Sequence, residues 1–494
     1  MTAMIWHERP LRVLMGLVAL MGIAFMPKEM YPGDPNTMRE ETRAILLHGE
    51  LAVSDVVVRN YAQNGEPGQY VVDHPTNGRS YSKYGSMAAW FYLLPMGLEN
   101  LIEGELPPFV SDRRVLYLNI FNIVLSLLVA ASVYRTARRF HAAPWVAATF
   151  VGLCFYTTFL WNYLRAQNSE IMQLLLFAWA VTAFLDVLDE RKRGGSGSGG
   201  VIRLWLVCGA LLLMKIAFLF VGPMFALALA VDRKQRSGQS WFTSMIAESW
   251  VHVVPALLTW VALAAVNTIK FGAPWLTGYH VWRTDITGFN GNLVDAIYQL
   301  LFSVQWGFPF CFPVLVLAVP FVGQWLRRYG VAYGALLAIA GLYVALIGMM
   351  PSWRGEWCYG PRYWIFVLPF VALPAVDAIA WLAGSGWRNR VCLAAVTLAL
   401  VHSARLQMEV NRSPFFAVYY LRSPIERSMT ADTARYFEHH AYGRILSDCR
   451  RHQDELDVLP WWKDMRKGAD PKAASAFEGH VKAVVNAGNL YWFQ

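Results

Sequence analysis

The side chains that could act on an anionic substrate lie in short polar stretches between long apolar ones. They form four groups along the chain, namely Asp34, Arg39, Glu40 and Glu41; His74, Lys83 and Tyr84; Arg165, Gln167 and Glu170; and Arg354, Glu356, Arg362 and Tyr363. Arginine and lysine hold phosphate oxygens through charge-assisted hydrogen bonds, and a carboxylate can take a proton from a hydroxyl. This combination predicts chemistry on an anionic lipid head group, provided that the four groups face the same side of a membrane.

The apolar stretches predict a polytopic membrane protein of the all-α class. Hydrophobic residues make up 56% of the chain and charged residues only 16%, whereas soluble domains contain about 25% charged residues. The apolar runs reach the length of about 20 residues that a helix needs to cross a bilayer. We predict about eleven membrane-spanning helices, over residues 10–26, 114–134, 144–163, 169–187, 202–214, 217–231, 250–267, 309–325, 331–349, 363–382 and 391–407.

The pair 202–214 and 217–231, with Lys215 between them, is expected to form two helices that are too short to cross alone. Such a pair would enter and leave the membrane from the same side.

The basic residues predict the orientation, because lysine and arginine favour cytoplasmic loops. Six basic clusters fall on one side when the N-terminus is cytoplasmic, namely Arg9/Arg12, Arg135/Arg138/Arg139, Arg191/Lys192/Arg193, Arg233/Lys234/Arg236, Arg327/Arg328 and Arg388/Arg390. The polar stretches 27–110, 268–308 and 408–494 then face outwards. We expect the first external loop to be helical, with helices from Asp34 and over 86–103, and the last stretch to form a small C-terminal extracytoplasmic cap. The net charge of +9 is concentrated in the orientation clusters, which argues against nucleic acid as a partner.

Five motifs resemble the GT-C superfamily of integral membrane glycosyltransferases. They are Tyr31-Pro-Gly-Asp34-Pro after the first span, Ser82-Lys83-Tyr84-Gly85 before an apolar helix, Gly209–Pro223 around Lys215, Leu301–Gly307 followed by Pro313, and the aromatic, glycine-rich loop Pro351–Tyr363. Their order and sidedness over residues 10–407 carry the resemblance. It implies a GT-C-like transmembrane module at 1–267, a C-terminal transmembrane segment with a re-entrant region at 268–407, and an extracytoplasmic tail at 408–494.

The resemblance also implies a donor and a set of site residues. In the family the donor is a sugar on a polyprenyl phosphate and an aspartate of the first external loop is the base, so Asp34 would be the catalytic base here. The residues that would bind substrate are Arg39, Lys83, Tyr84, Glu356, Arg362 and Tyr363, with Arg39, Lys83 and Arg362 as phosphate contacts. Pro35 follows Asp34 where the commonest family pattern has an acidic residue, so neither a metal nor another cofactor is expected.

Several of these residues also have a structural interpretation. Asp34 could cap a helix, and Lys83 could be an interfacial lysine that extends towards head groups. Arg39 could belong to a solvated helix face, and Glu356 could pair with a neighbouring arginine. Glu170 is interpreted as structural, because an acidic residue is favourable at a helix start.

Two other functions stay open. A transporter or lipid flippase would line a path at the membrane midplane with ionisable residues and would be built from an inverted repeat. A polysaccharide polymerase or ligase would use a diphosphate-linked donor and would favour paired arginines in a large external loop. The sequence shows none of these features. We therefore expect an enzyme of the bacterial inner membrane that acts among membrane lipids on the periplasmic face, with a cell-envelope glycan, lipid or protein as acceptor.

Two cysteines are expected on the extracytoplasmic side, Cys358 in the loop 351–363 and Cys449 in the tail. Oxidising compartments permit disulfides. A bridge between these two residues would hold the tail over the loop.

Overall fold

The structure is a computed structural model that describes residues 7–28, 34–54, 71–106, 112–238, 240–281, 288–354, 359–413 and 442–452, with a few positions beyond 457. For Asp34 the backbone alone is described, and Glu356 and Cys358 lie outside the described residues. Helices dominate the described chain, which confirms the predominantly helical class. The extracytoplasmic cap and the domain boundaries stay predictions.

The first half of the chain contains the helices α1 (Arg9–Ala24), α2 (Asp34–His48), α3 (Met87–Glu103), α4 (Asp112–Arg139), α5 (Pro144–Tyr156), α6 (Leu160–Arg165), α7 (Ser169–Lys192), α8 (Ser198–Met214), α9 (Val221–Ser237) and α10 (Trp241–Phe271). The second half contains α11 (Gly278–Val281), α12 (Leu293–Phe302), α13 (Phe308–Cys311), α14 (Val314–Ala318), α15 (Val322–Gly348), α16 (Leu368–Val371), α17 (Ala375–Leu382), α18 (Trp387–Arg412) and α19 (Tyr442–Arg451). The helices predicted from Asp34 and over 86–103 are confirmed as α2 and α3.

Six helical stretches of the described chain are long and apolar enough to cross a membrane, namely Arg114–Arg139, Ser169–Lys192, Ile216–Ser237, Trp241–Phe271, Val314–Gly348 and Trp387–Arg412. These agree with the predicted apolar spans, while the exact number of eleven stays a prediction. The expectation that both helices beside Lys215 are too short to cross is wrong for the second one. A 3-10 turn over Ile216–Phe220 continues into α9 and gives a stretch of 22 residues.

One predicted span is divided, and two others are separated, where the backbone cannot continue a regular helix. Gly330 has φ +42° and ψ −114°, a conformation that favours glycine, and it kinks the apolar stretch Val314–Gly348 between the expected spans 309–325 and 331–349. The expected span 363–382 is divided into α16 and α17, with Pro369 and Pro374 at the two helix starts. Proline is tolerated there because the first N–H groups of a helix have no intrahelical partner.

The stretch 27–110, which is predicted to be the first external loop, contains a small sheet that was not predicted. Its three antiparallel strands are β1 (Ala52–Val53), β2 (Val71–Asp73) and β3 (Ser80–Ser82), in the order β1-β3-β2. Tyr81 of β3 pairs with Ala52 on one side and Val72 on the other. Strands of two or three residues are too short to show the alternating pattern that predicts a strand.

Helix α7 lies at the centre of the protein. In its apolar window 83% of the residues are buried, whereas α10 and α18 are each only 11% buried in theirs. It packs against α4 and α8, and its buried side chains include Leu174, Phe177 and Phe184. The apolar side chains that cover α10 and α18 suit contact with lipid. The packing around α7 therefore fixes the position of its N-terminal end, which carries Glu170.

Candidate active site

The start of α2 lies beside the end of β3. Thr37, in the first turn after Asp34, accepts a hydrogen bond from the hydroxyl of Ser82 at 3.4 Å, and both side chains are buried. Ser82 directly precedes Lys83. The backbone at the predicted base is thus next to the predicted phosphate contact, while the direction of the Asp34 side chain stays a prediction.

A lysine that the sequence analysis did not select connects these two elements. The ammonium of Lys270, in the last turn of α10, donates to the Glu41 carboxylate of α2 at 2.8 Å and to the carbonyl of Tyr84 at 2.6 Å. It also lies 3.5 Å from the hydroxyl of Ser86. The Lys270 and Glu41 side chains are 0% and 1% exposed. This cation holds α2 and the Lys83–Tyr84 turn together.

Lys83 and Tyr84 are both buried. The Lys83 ammonium lies 5.1 Å from the centre of the Tyr84 ring, and that ring meets Tyr279 edge-on with 6.2 Å between ring centres. Gly278 packs directly against the backbone of Lys83. The short helix α11 therefore covers the turn, and Lys83 is enclosed by protein.

Gly85 connects this turn with the segment around Lys215. A Cβ at Gly85 would collide with the carbonyl of Leu213 near the end of α8, so the close approach requires glycine. Two residues further on, the Lys215 ammonium lies 4.5 Å from the centre of the Tyr363 ring. The Arg362 guanidinium lies 4.9 Å from the same ring. The predicted residues Lys83, Arg362 and Tyr363 are therefore joined through a short series of contacts.

Arg362 faces Glu170 at the start of α7. Their closest charged atoms are 3.7 Å apart, with side-chain exposures of 15% and 9%. The Ser169 hydroxyl lies 3.4 Å from the other oxygen of Glu170. Glu170, interpreted as structural from the sequence, is thus paired with a residue that is predicted to contact phosphate. The sequence did contain a signal for Glu170, namely a carboxylate at the start of the apolar span 169–187 that directly follows the polar residues Arg165 and Gln167.

Arg39 lies inside the protein, so the alternative of a solvated helix face is wrong. Its side chain is 1% exposed, and it donates to the Asn36 amide oxygen one turn earlier in α2. Burial raises the pKa of the Tyr92 phenol, the Arg39 charge opposes that rise, and the Glu170 charge adds to it. The Tyr92 hydroxyl donates to the carbonyl of Gln167 at 2.9 Å. Arg39 therefore lies close to the segment that carries Glu170.

The segment before α7 is fixed by hydrogen bonds to the C-terminal end of α1. Arg165 donates to the carbonyl of Phe25 at 3.0 Å. The Gln167 amide donates to Asn119, whose own amide donates to the carbonyl of Pro27 at 2.8 Å. These buried bonds give the Arg165–Glu170 segment a defined position.

The aromatic, glycine-rich loop reaches the same place from the second half of the chain. The Tyr163 hydroxyl donates to the carbonyl of Tyr359 at 2.9 Å, which ties the loop to α6. Arg354, a possible partner of Glu356, lies 3.7 Å from Asp295. The predicted role of Glu356 in substrate binding concerns a residue outside the described part of the chain.

The described residues contain no group of three or more His, Cys, Asp or Glu side chains that could hold a metal ion. Asp34 and Glu356 do not belong to that set. The expectation about metals therefore stays a prediction.

Comparison with solved structures identifies the fold. The apo form of ArnT from Cupriavidus metallidurans matches with a TM-score of 0.50 and 13% identity, over 97% of this chain and 77% of that chain. The apo oligosaccharyltransferase of Archaeoglobus fulgidus matches with a TM-score of 0.52 and 12% identity, over 88% of this chain and 60% of the archaeal one. No protein-family model and no curated protein matches the sequence. The chain therefore shares the fold of these two proteins, which agrees with the fold that its motifs predicted.

Proposed function

We propose that this protein is a membrane glycosyltransferase that moves one sugar from a polyprenyl-phosphate donor to an acceptor on the extracytoplasmic face. The observation that carries the proposal is a series of contacts between three distant segments. Gly85, two residues after Lys83, packs against the backbone near Lys215, and the Lys215 ammonium lies over the ring of Tyr363. Arg362, next to Tyr363, faces Glu170. The fold shared with an oligosaccharyltransferase supports a transfer reaction. The bacterial inner membrane and its periplasmic face are part of the proposal.

The three cations suit a phosphate that is attached to a lipid. The phosphodiester of the donor carries one negative charge, and the departing polyprenyl phosphate, a monoester, carries up to two. Lysine and arginine bind phosphate oxygens through charge-assisted hydrogen bonds. The Lys215 ammonium and the Arg362 guanidinium both lie within cation–π distance of the Tyr363 ring. Lys83, Arg362 and Arg39 remain the proposed phosphate contacts, with Tyr84, Tyr363 and Glu356 beside them.

The proposed reaction is a single displacement at the anomeric carbon. The acceptor hydroxyl oxygen forms a bond to that carbon, its proton passes to the Asp34 carboxylate, and the bond from the carbon to the phosphate oxygen breaks. Polyprenyl phosphate leaves with the bonding electron pair, and the cations stabilise its charge. One displacement inverts the configuration of the sugar.

Glu170 has a clear role in this scheme before the donor binds. Its carboxylate lies 3.7 Å from the guanidinium of Arg362, and a phosphate would compete for the same cation. A buried cation left without any anion is unfavourable. Glu170 would therefore hold Arg362 in position while the donor is absent.

The lipid that co-purifies with the protein tests the proposal. We expect native mass spectrometry of the purified protein in nanodiscs to detect a polyprenyl phosphate bearing one sugar. Lys83→Ala should reduce its occupancy, while Lys234→Ala, which removes a lysine stacked on Trp241 at the end of α9, should not.

Other lipids would favour the alternatives. A sugar on a polyprenyl diphosphate would favour the polymerase or ligase. Transport of a lipid-linked sugar without formation of a glycosidic product would favour the transporter or flippase.

A further inference from the structure

Asn168, at the start of α7, has a side chain that makes no hydrogen bond to any of the residues that the structure describes. The residue is 1% exposed, and within this part of the chain both its amide oxygen and its amide nitrogen lack a hydrogen-bond partner. An asparagine in this position usually accepts a bond from the backbone of the first helical turn, but Asn168 makes no such bond. Two buried polar atoms therefore cost stability with no visible compensation within the protein.

Other buried side chains of the described residues also have one unpaired polar atom, but only in Asn168 are two atoms unpaired. The neighbouring amides are paired. The Gln167 amide donates to Asn119, and the Gln173 amide donates to the Ser169 hydroxyl at 3.0 Å. Buried polar groups in folded proteins are normally paired, and the exceptions require an explanation such as an absent ligand. The start of α7 adds backbone N–H groups that have no intrahelical partner.

The charges around Asn168 indicate the kind of ligand. Glu170, two residues further on, brings a carboxylate to this helix start, which disfavours a second anion there. The phosphate is already assigned to the proposed contacts Lys83, Arg362 and Arg39. An amide offers one acceptor and two N–H donors side by side, which suits a neutral group with hydroxyls that both donate and accept.

We infer that Asn168 binds hydroxyl groups of the sugar that the lipid-linked donor carries, so that it contributes to sugar specificity. This inference rests on the proposed function. The segment that carries Asn168 also carries Glu170, whose carboxylate faces Arg362, so a sugar bound here would be adjacent to a phosphate at Arg362. The hydroxyls would satisfy the amide atoms that the protein leaves unpaired.

The test compares lipids with and without a sugar, using the full chain in nanodiscs. The probes are undecaprenyl phosphate and undecaprenyl phosphate linked to glucose, mannose or galactose. We expect the wild-type protein to bind at least one sugar-linked lipid about tenfold more tightly than the bare lipid, since two net hydrogen bonds account for a difference of that order. Asn168→Leu should remove this preference and leave the affinity for bare undecaprenyl phosphate unchanged.

Thermal stability separates this role from a structural one. Asn168→Leu should keep or raise the Tm, because it removes two unpaired buried atoms while conserving the side-chain volume. Gln173→Leu is the matched control, because its amide is paired; it should lower the Tm and retain the sugar preference.

The inference is overturned if Asn168→Leu keeps the preference, or lowers the Tm and the affinity for all four lipids alike. It is also overturned if the wild-type protein binds none of the three sugar-linked lipids more tightly than the bare one. Failure of the wild-type protein to bind bare undecaprenyl phosphate would instead overturn the proposed function, and this inference with it.

Discussion

Glu41 and Lys270, which are 229 residues apart in the sequence, form an ion pair with a nitrogen–oxygen distance of 2.8 Å and almost no exposure to solvent. Glu41 belongs to α2, the helix that begins at Asp34. Lys270 also binds the carbonyl of Tyr84, directly after Lys83. The position of the predicted base relative to the predicted phosphate contact therefore depends on this pair.

Removing one member of the pair should destabilise the external loop. Lys270→Met leaves the Glu41 carboxylate buried without its cation, which typically costs about 3–5 kcal/mol. We expect a clear fall in the Tm of the detergent-solubilised protein. The double variant Lys270→Met with Glu41→Leu should recover part of the loss, since it also removes the buried charge.

An exposed ion pair provides the control. Arg79 and Glu50 lie 2.7 Å apart with exposures of 52% and 45%, and such pairs contribute about 0–1 kcal/mol. Arg79→Gln should change the Tm little. If Lys270→Met is equally mild, Lys270 does not hold the loop.

Replacing Arg362 should weaken the binding of lipid phosphate. A hydrogen bond to a charged group contributes about 1.5–3 kcal/mol, so Arg362→Gln should raise the Kd for undecaprenyl phosphate by at least about tenfold. The binding should be measured in nanodiscs, with Arg388→Gln at the start of α18 as the control. Unchanged affinity in Arg362→Gln would remove this residue from the phosphate site.

The stability of the protein should depend on pH through Glu40. Burial raises the pKa of this α2 carboxyl from its ordinary value of 4.5 to about 7, against the opposing charges of Arg43, Arg114 and Arg39. The folded state thus binds the Glu40 proton more tightly than the unfolded state. The stabilisation of the folded state by this proton is therefore fully present below pH 4.5 and is lost as the pH rises through 7.

The Tm should therefore fall between pH 5 and pH 8 more steeply in the wild-type protein than in Glu40→Gln. The carboxyl contributes a loss of at most about 3 kcal/mol over this range. Equal pH dependence of the two proteins would show that Glu40 titrates normally.

The predicted disulfide between Cys358 and Cys449 can be tested by chemistry. Cys449 is buried in α19, which packs against α18. Peptide mapping without reduction should show a linked pair of peptides, because both cysteines are predicted to lie on the extracytoplasmic side, where disulfides are permitted. Complete alkylation of both thiols in the unreduced, denatured protein would contradict the pairing.

The sequence predicted the features that are encoded in long apolar runs or in pairs of adjacent residues. Apolar runs located spans such as α4 and α7, and the Asp34–Pro35 pair located the start of α2, because these signals are local. The sheet formed by β1, β2 and β3 was missed because its strands are too short to show a pattern.

The partners of individual charged residues could not be predicted in the same way. Lys270 sits in the last turn of a long apolar helix, where a lysine usually contacts head groups, and only the tertiary structure brings it to Glu41. The contact of Glu170 with Arg362 likewise joins segments 192 residues apart, between α7 and a loop in the second half of the chain.

The most direct test of the proposed mechanism is the transfer activity of Asp34→Asn. Asparagine caps a helix about as well as aspartate, so the variant should fold and bind undecaprenyl phosphate like the wild-type protein, but it cannot accept the proton. With the donor identified by mass spectrometry, we expect transfer to fall by about 10²–10⁴-fold, the loss typical of removing a general base. Full transfer activity in Asp34→Asn would contradict the account.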